Sequence, residues 1–124
     1  MRLQLLEGRL SVCRLVAAEP IPDWANEAGG FVSITRTQEE LSIVCAETAV
    51  PRDVQREDGW RAFRVEGSLD FALVGILASI AEPLARAGIS IFAVSTFNTD
   101  YVLVKEANVE AAAQALERAG HRLA

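Results

Sequence analysis

Lysine is almost absent. Lys105 is the only one in 124 residues, and the arginines are scattered rather than clustered. With a formal net charge of −5 and a pI near 4.9, the chain lacks the basic patch that binding to nucleic acid needs. DNA, RNA and anionic membrane surfaces are therefore not expected partners. Histidine is equally scarce: His121 stands alone near the C-terminus with no nucleophile arranged around it, so hydrolytic catalysis is not expected and the chain reads as a non-enzyme. Cys13 and Cys45 form no CxxC and have no histidine nearby, so no metal site or other cofactor is expected. Both sit in apolar, strand-like runs and read as buried, reduced thiols. Long hydrophobic runs are missing too. The longest, residues 72–81, is broken by Gly75 and Ser79, is followed by Glu82 and Pro83, and is too short to span a bilayer. The first seven residues lack the apolar stretch of a signal peptide, and the cytoplasm is the expected compartment.

Half the residues are hydrophobic and 23% are charged, enough for one packed domain or two very small ones. The chain is organised around residues 63–105. Leu73, Ile76, Leu77, Ile80, Leu84 and Ala87 fall at helical spacing, and Gly88 follows where a helix end favours a left-handed residue. Pro83 lacks an N–H and is expected to kink this helix. Two runs rich in β-branched and aromatic residues then flank Phe97-Asn98-Thr99-Asp100, which marks a hairpin. A second helix is expected over 109–119, ended by Gly120, and a last short strand over 121–124. The order β-α-β-β-α-β predicts an α+β fold, with helices on one face of an antiparallel sheet.

The first half reads as strands at 2–6 and 10–16, a loop at 19–23 and a short helix over 23–28 with Pro22 at its start. Strands at 31–36 and 41–46 then flank a turn at 37–40. The polar stretch 50–59 is either a short helix or a linker, and 60–65 is strand-like. Laid on residues 91–106 at an offset of 60, residues 31–46 place Ile34 on Val94, Glu40 on Asp100, Leu41 on Tyr101 and Ile43 on Leu103. The first strands correspond at an offset of about 50, because the first helix is the shorter. Two copies of one unit are expected, an abridged one at 1–59 and a fuller one at 60–124.

Several stretches carry a family likeness: Phe31-Val-Ser-Ile-Thr-Arg-Thr37, Glu40-Leu-Ser-Ile-Val-Cys45, Gly59-Trp60, Val65-Glu-Gly-Ser-Leu-Asp-Phe71, Gly75-Ile-Leu-Ala-Ser79, Ala87-Gly-Ile-Ser-Ile91 and Ser95-Thr-Phe-Asn-Thr-Asp-Tyr-Val-Leu-Val104. Together they resemble the ACT domain, the small regulatory module of amino-acid metabolism seen in aspartate kinases. They are most similar to small bacterial proteins with two ACT units in tandem, related to the CASTOR arginine sensors. The resemblance implies a ferredoxin-like fold, a ligand bound between units, dimerisation through sheets or helices, and no catalysis. The expected ligand is a small amino acid or related metabolite. A homodimer is the expected assembly, and a separate effector protein would receive the signal. The competing reading is a ligand-free homodimeric interaction module. The N-terminal half departs from the pattern in its stunted helix and unclear fourth strand, and residues 60–65 either close the first unit or open the second.

Candidate binding residues follow. Gly75 and Ile76 stand at the helix start, where a bare backbone lets a carboxylate approach free N–H groups; tight packing of helix on strand explains the same glycine. Asp100, with Phe97, Asn98 and Thr99, offers a carboxylate to an α-amino group or a guanidinium, and the resemblance puts that aspartate beside the ligand. A turn in which Asp100 or Asn98 bonds its own backbone is the alternative. Ser33, Ile34 and Thr35 offer strand-edge backbone across the unit boundary. Ser68 and Asp70 read as caps of the helix that follows. Trp24 and Trp60 read as core or interface aromatics.

Overall fold

The computed structural model describes residues 1–27, 29–67 and 74–124. In chain order the elements are β1 (Arg2–Leu5), β2 (Leu10–Leu15), α1 (Asp23–Glu27), β3 (Ser33–Arg36), β4 (Leu41–Ala46), β5 (Gln55–Val65), α2 (Ile76–Arg86), β6 (Phe92–Ser95), β7 (Asp100–Lys105), α3 (Val109–Arg118) and β8 (Arg122–Leu123). Short 3-10 turns follow β4 and β7 at Glu47–Ala49 and Glu106–Asn108. The expected α+β class is the one the chain adopts, with a ferredoxin-like arrangement. Among the described residues no helix is long and apolar enough to cross a membrane.

The chain divides into two compact units, Gly8–Trp60 on one side and Met1–Glu7 with Arg61–Ala124 on the other. This differs from the expected division at its N-terminal end. β1 pairs antiparallel with the end of β5, Leu3 opposite Val65, and so belongs with the C-terminal unit. β5 itself is longer than its sequence suggests. The polar residues Gln55–Gly59, expected as helix or linker, are strand, because Gln55, Arg56 and Glu57 pair with β2 and the ladder resumes at Trp60. The question of which unit the following residues serve has a double answer: Gln55 to Trp60 pair with β2, and Phe63 to Val65 pair with β1.

In the N-terminal unit the strand order is β3-β4-β2-β5. Leu41, Ile43 and Cys45 on β4 and Cys13 on β2 share one face with Ala25 and Val50, and Trp24, Val32 and Ile34 pack against them. Both cysteines are free and buried, as expected. The Cys13 thiol donates to the Cys45 sulfur; that bond, together with burial, pushes the Cys13 thiol well above its ordinary range. A raised, inaccessible thiol is a packing group rather than a nucleophile. One irregularity marks the unit. Leu10 pairs with Trp60 but Val12 with Glu57, so β5 carries an extra residue over this step. Gly59 takes φ +79°, the left-handed conformation that such a bulge uses. Glu47 secures it, accepting the Gly59 N–H at 2.9 Å on one oxygen and the Arg9 guanidinium at 2.6 and 2.9 Å on the other.

In the C-terminal unit the strands run β6-β7-β5-β1-β8, the last pair parallel. Helices α2 and α3 cover one face. Ile80 and Leu84 of α2 and Ala112, Ala115 and Leu116 of α3 bury against Leu3, Phe63, Val65, Val102 and Val104. Of the apolar residues at helical spacing, Ile76, Leu77, Ile80 and Leu84 form the packing stripe, Ala87 is exposed, and Leu73 lies outside the described residues. Both helices end on a glycine with φ above +70°, and the N–H of the residue after it reaches back five residues, Ile89 to Leu84 and His121 to Leu116.

Pro83 lies inside α2, which runs on through it. Lacking an N–H, it leaves the carbonyl of Ser79, four residues earlier, without its helical partner. His121 supplies the replacement: its Nε2 lies 2.9 Å from the Ser79 oxygen. A carbonyl only accepts, so Nε2 carries the proton and Nδ1 accepts, from the Met1 amine at 3.1 Å. The only histidine of the chain, 8% exposed, is thus a structural group.

The two hairpins match more closely than the sequence suggested, but one residue out of the expected alignment. β3, β4 and the 3-10 turn at Glu47–Ala49 correspond in bounds to β6, β7 and Glu106–Asn108 at an offset of 59, not 60. The strand registers agree: Ser33 faces Val44 as Phe92 faces Leu103, and Arg36 faces Leu41 as Ser95 faces Asp100. Glu40 therefore matches Thr99, and Asp100 matches Leu41. The corrected alignment puts Thr37 on Thr96, and each threonine Oγ1 accepts an N–H within its own turn.

Candidate functional site

Thr96 builds the β6–β7 turn. Its N–H donates to the Thr99 carbonyl at 2.8 Å, and its Oγ1 accepts the Thr99 N–H at 3.3 Å. The alternative reading gave that work to Asp100 or Asn98. Because Thr96 does it, the Asp100 carboxylate is not used by the turn; the residue is partly buried, while the hydrogen bond its carboxylate makes is exposed. Ser95 stands directly opposite, and its Oγ donates to Asp100 Oδ1 at 2.7 Å. Phe97 and Asn98 form the exposed tip, with Phe97 79% exposed. Thr99 is buried, and its hydroxyl donates to the Val65 carbonyl at 2.7 Å. That bond ties the start of β7 to the end of β5, from which the chain leads on to α2.

Gly75 directly precedes α2 with φ +79° and, having no side chain, makes no capping hydrogen bond itself. A Cβ built on Gly75 meets nothing within 4 Å, so tight packing against a strand does not explain the glycine; its backbone angle does. Among the described residues no side-chain acceptor is found at the first N–H groups of α2. Ile76 is half-buried and packs against the core of its unit. Ser68 and Asp70, the expected caps, lie outside the described residues. Gly75, Ile76 and the turn Phe97-Asn98-Thr99-Asp100 all belong to the C-terminal unit, whereas Ser33, Ile34 and Thr35 belong to the N-terminal one. There Ile34 packs into the core, Ser33 is half-buried and Thr35 is exposed.

A separate groove of about 280 Å³ opens between the C-terminal ends of α2 and α3, floored by Pro83, Ala87, Ala115 and Ala119 and rimmed by Arg86 and Arg118. It lies at the opposite end of α2 from Gly75. Arg86 is already engaged by Glu82, one turn earlier. No cluster of three histidine, cysteine or carboxylate side chains suited to a metal is found among the described residues. Two contributions escaped the sequence reading, Ser95 and Thr96; the corrected alignment, with Thr37 on Thr96, is the signal that points to the second.

An ACT-domain family model matches residues 55–118, and a model of an N-terminal domain matches residues 8–53. The human cytosolic arginine sensor for mTORC1 subunit 1 is 44% identical over 66 residues, which are 52% of this chain and 20% of that protein. The bovine protein of the same name is 45% identical over 60 residues, 48% of this chain and 18% of its own length. The chain thus spans about a fifth of the length of these curated relatives. Among solved structures, a protein from Agobacterium tumefaciens is 46% identical with a TM-score of 0.93, covering 99% of this chain and 91% of its own. The ligand-free regulatory subunit of aspartate kinase from Thermus thermophilus has a TM-score of 0.65 over 95% of this chain and 96% of its own; at 14% identity that likeness shows the fold alone.

Proposed function

We propose that this chain, which belongs to the ACT-domain family, is a regulatory protein that binds a small amino acid or related metabolite and catalyses nothing itself. The observation that carries the reading is the Asp100 carboxylate, relieved of turn duty by Thr96, in the same unit as the start of α2 at Gly75. A zwitterion needs a cation holder and an anion holder. Asp100 supplies the first and the N–H groups following Gly75 the second. Phe97, Asn98 and Thr99 would form the hairpin wall of the site within the same unit. The two units would then be an abridged and a full ACT domain in tandem, an arrangement supported by the shared hairpin register. Relatives named as cytosolic arginine sensors support amino-acid sensing and a cytoplasmic location. The protein works as a homodimer and signals through a separate effector.

The test is a thermal-shift screen against the twenty standard amino acids, since a ligand that binds the native state raises its melting temperature with concentration. Removing one side of a buried charged pair costs about 2–5 kcal/mol of binding. Asp100→Ala should therefore weaken any amino acid found by at least about tenfold while leaving the unliganded melting temperature in place. Asp100→Asn should weaken it less, because the amide oxygen still accepts. The exposed Phe97 at the hairpin tip favours a second reading, a ligand-free interaction module; the absence of any shift across the screen would select it.

A further inference from the structure

We infer that Arg2, Arg64 and Arg122 form a docking surface for an acidic segment of a partner protein, on the sheet face of the C-terminal unit turned away from α2 and α3. The inference does not depend on the amino-acid reading above. The three arginines are far apart in the chain, and the strand register gathers them within one unit. Leu3 and Leu5 of β1, Phe63 and Val65 of β5 and Leu123 of β8 all pack into the core under the helices. Alternation along each strand therefore turns Arg2, Gln4, Arg64 and Arg122 to the other face. There Arg122 stands beside Arg2, and Arg64 stands beside Gln4 in the next row. Among the described residues one carboxylate joins the group, that of Glu66, 3.5 Å from Arg2. Three cations thus share one anion, on a chain whose formal net charge is −5.

Two of the three are unmatched. Arg56, Arg61 and Arg64 are the half-buried arginines among the described residues. Arg56 has Asp58 and two carbonyls, and Arg61 has the Leu6 carbonyl and Glu106. Arg64 has neither a hydrogen bond nor an ion pair; its Nε is buried without an acceptor, while its terminal nitrogens reach the surface. Holding a guanidinium partly out of water without an acceptor is costly. Arg122 is exposed, also without a partner, and its neighbour across the ladder is another arginine, a placement of like charges that opposes folding. Carboxylates from outside offset both costs. Strands about 4.8 Å apart and alternate residues about 6.8 Å apart spread the three side chains over roughly 10 Å, more than one carboxylate spans. Acidic side chains along one segment reach several of them, and the guanidinium fork fits each. Three cations on so acidic a chain are too few for the phosphate backbone of a nucleic acid.

The test is an NMR titration of the full, nitrogen-15-labelled chain with hexaglutamate at low ionic strength. The amide shifts should centre on Arg2, Gln4, Arg64 and Arg122 and disappear on adding salt. Arg64→Gln and Arg122→Gln should each weaken binding about two- to fivefold, and the double variant about tenfold, as exposed charge pairs do. Arg52→Gln, an exposed arginine of the other unit, should leave binding unchanged. Melting temperatures of the Arg64 and Arg122 variants should not fall, because no carboxylate loses its partner. Shifts centred elsewhere, or a double variant that binds as the parent does, overturn the surface. A lower melting temperature for Arg64→Gln with unchanged affinity makes Arg64 a packing group and also overturns it. An oligothymidylate that moves the same signals as strongly as hexaglutamate overturns the choice of an acidic protein segment.

Discussion

At the scale of single residues, matching positions in the two hairpins do unequal work. Glu47 and Glu106 open equivalent 3-10 turns, and each is paired with an arginine. Glu47 is largely buried and satisfies both Arg9 and the bulge N–H of Gly59. Glu106 is nearly half exposed, 4.0 Å from Arg61, which separately donates to the Leu6 carbonyl at 3.0 Å. Glu47→Ala removes the acceptor of the part-buried Gly59 N–H and the ion pair of Arg9, and should cost about 1–3 kcal/mol. Glu106→Ala should cost less than about 1 kcal/mol, as exposed pairs do. Urea unfolding of both variants checks the ordering, and equal losses would refute it. None of this was readable from residue types, because both positions are a glutamate after a strand. Asp100 was singled out in the sequence by hairpin chemistry and the family resemblance. Its hydrogen bond with Ser95 was not, since that depends on cross-strand register, and the sequence alignment was out by one residue. Thr99 stood among the ligand candidates because its polarity was visible, while the Val65 carbonyl that its hydroxyl engages is 34 positions away.

At the scale of elements, helices were the more legible. α3 falls within one residue of its expected limits and α2 ends within one of its own, because an apolar stripe and a closing glycine are local signals; α2 starts at Ile76, later than the stripe's first residue, Leu73. β5 was only half legible. Its second part is apolar and strand-like, whereas Gln55–Gly59 is charged and owes its conformation to pairing with β2, a non-local cause. The proline of α2 is the other case. Sequence foresaw a local disturbance at Pro83 but not its remedy, a histidine 38 positions later at the carbonyl that the proline strands. This makes a coupling prediction. His121→Ala alone should destabilise by about 1–3 kcal/mol, because the Ser79 carbonyl loses its donor. Pro83→Ala restores a backbone N–H to that carbonyl, so the double variant should recover part of the loss. A double-mutant cycle by chemical denaturation reads the coupling, which should be at least about 0.5 kcal/mol. Strict additivity would show that the histidine is held there for another reason.

At the scale of the whole molecule, the question is what the sheet edges meet. Among the described residues β6 pairs with β7 alone, and β3 with β4 alone. Exposed edges invite pairing with another chain unless charge, proline or a bulge guards them. β3 carries Arg36, whose guanidinium donates to the Ala17 carbonyl. β6 reads Phe92-Ala-Val-Ser95 and has no charge, no proline and no bulge. The expected assembly is therefore a homodimer joined along β6, giving in light scattering twice the 13.4 kDa of one chain at micromolar concentration. Ala93 is exposed on that strand, and Ala93→Lys places a charge where a partner strand would lie. The variant should scatter as a monomer and keep the circular dichroism of the parent, since the lysine side chain has solvent to enter. A parent protein already monomeric at that concentration would refute the dimer. A variant that stays dimeric would move the interface away from β6, with the edge at β3 next to be tested by the same substitution at Thr35, which is also exposed.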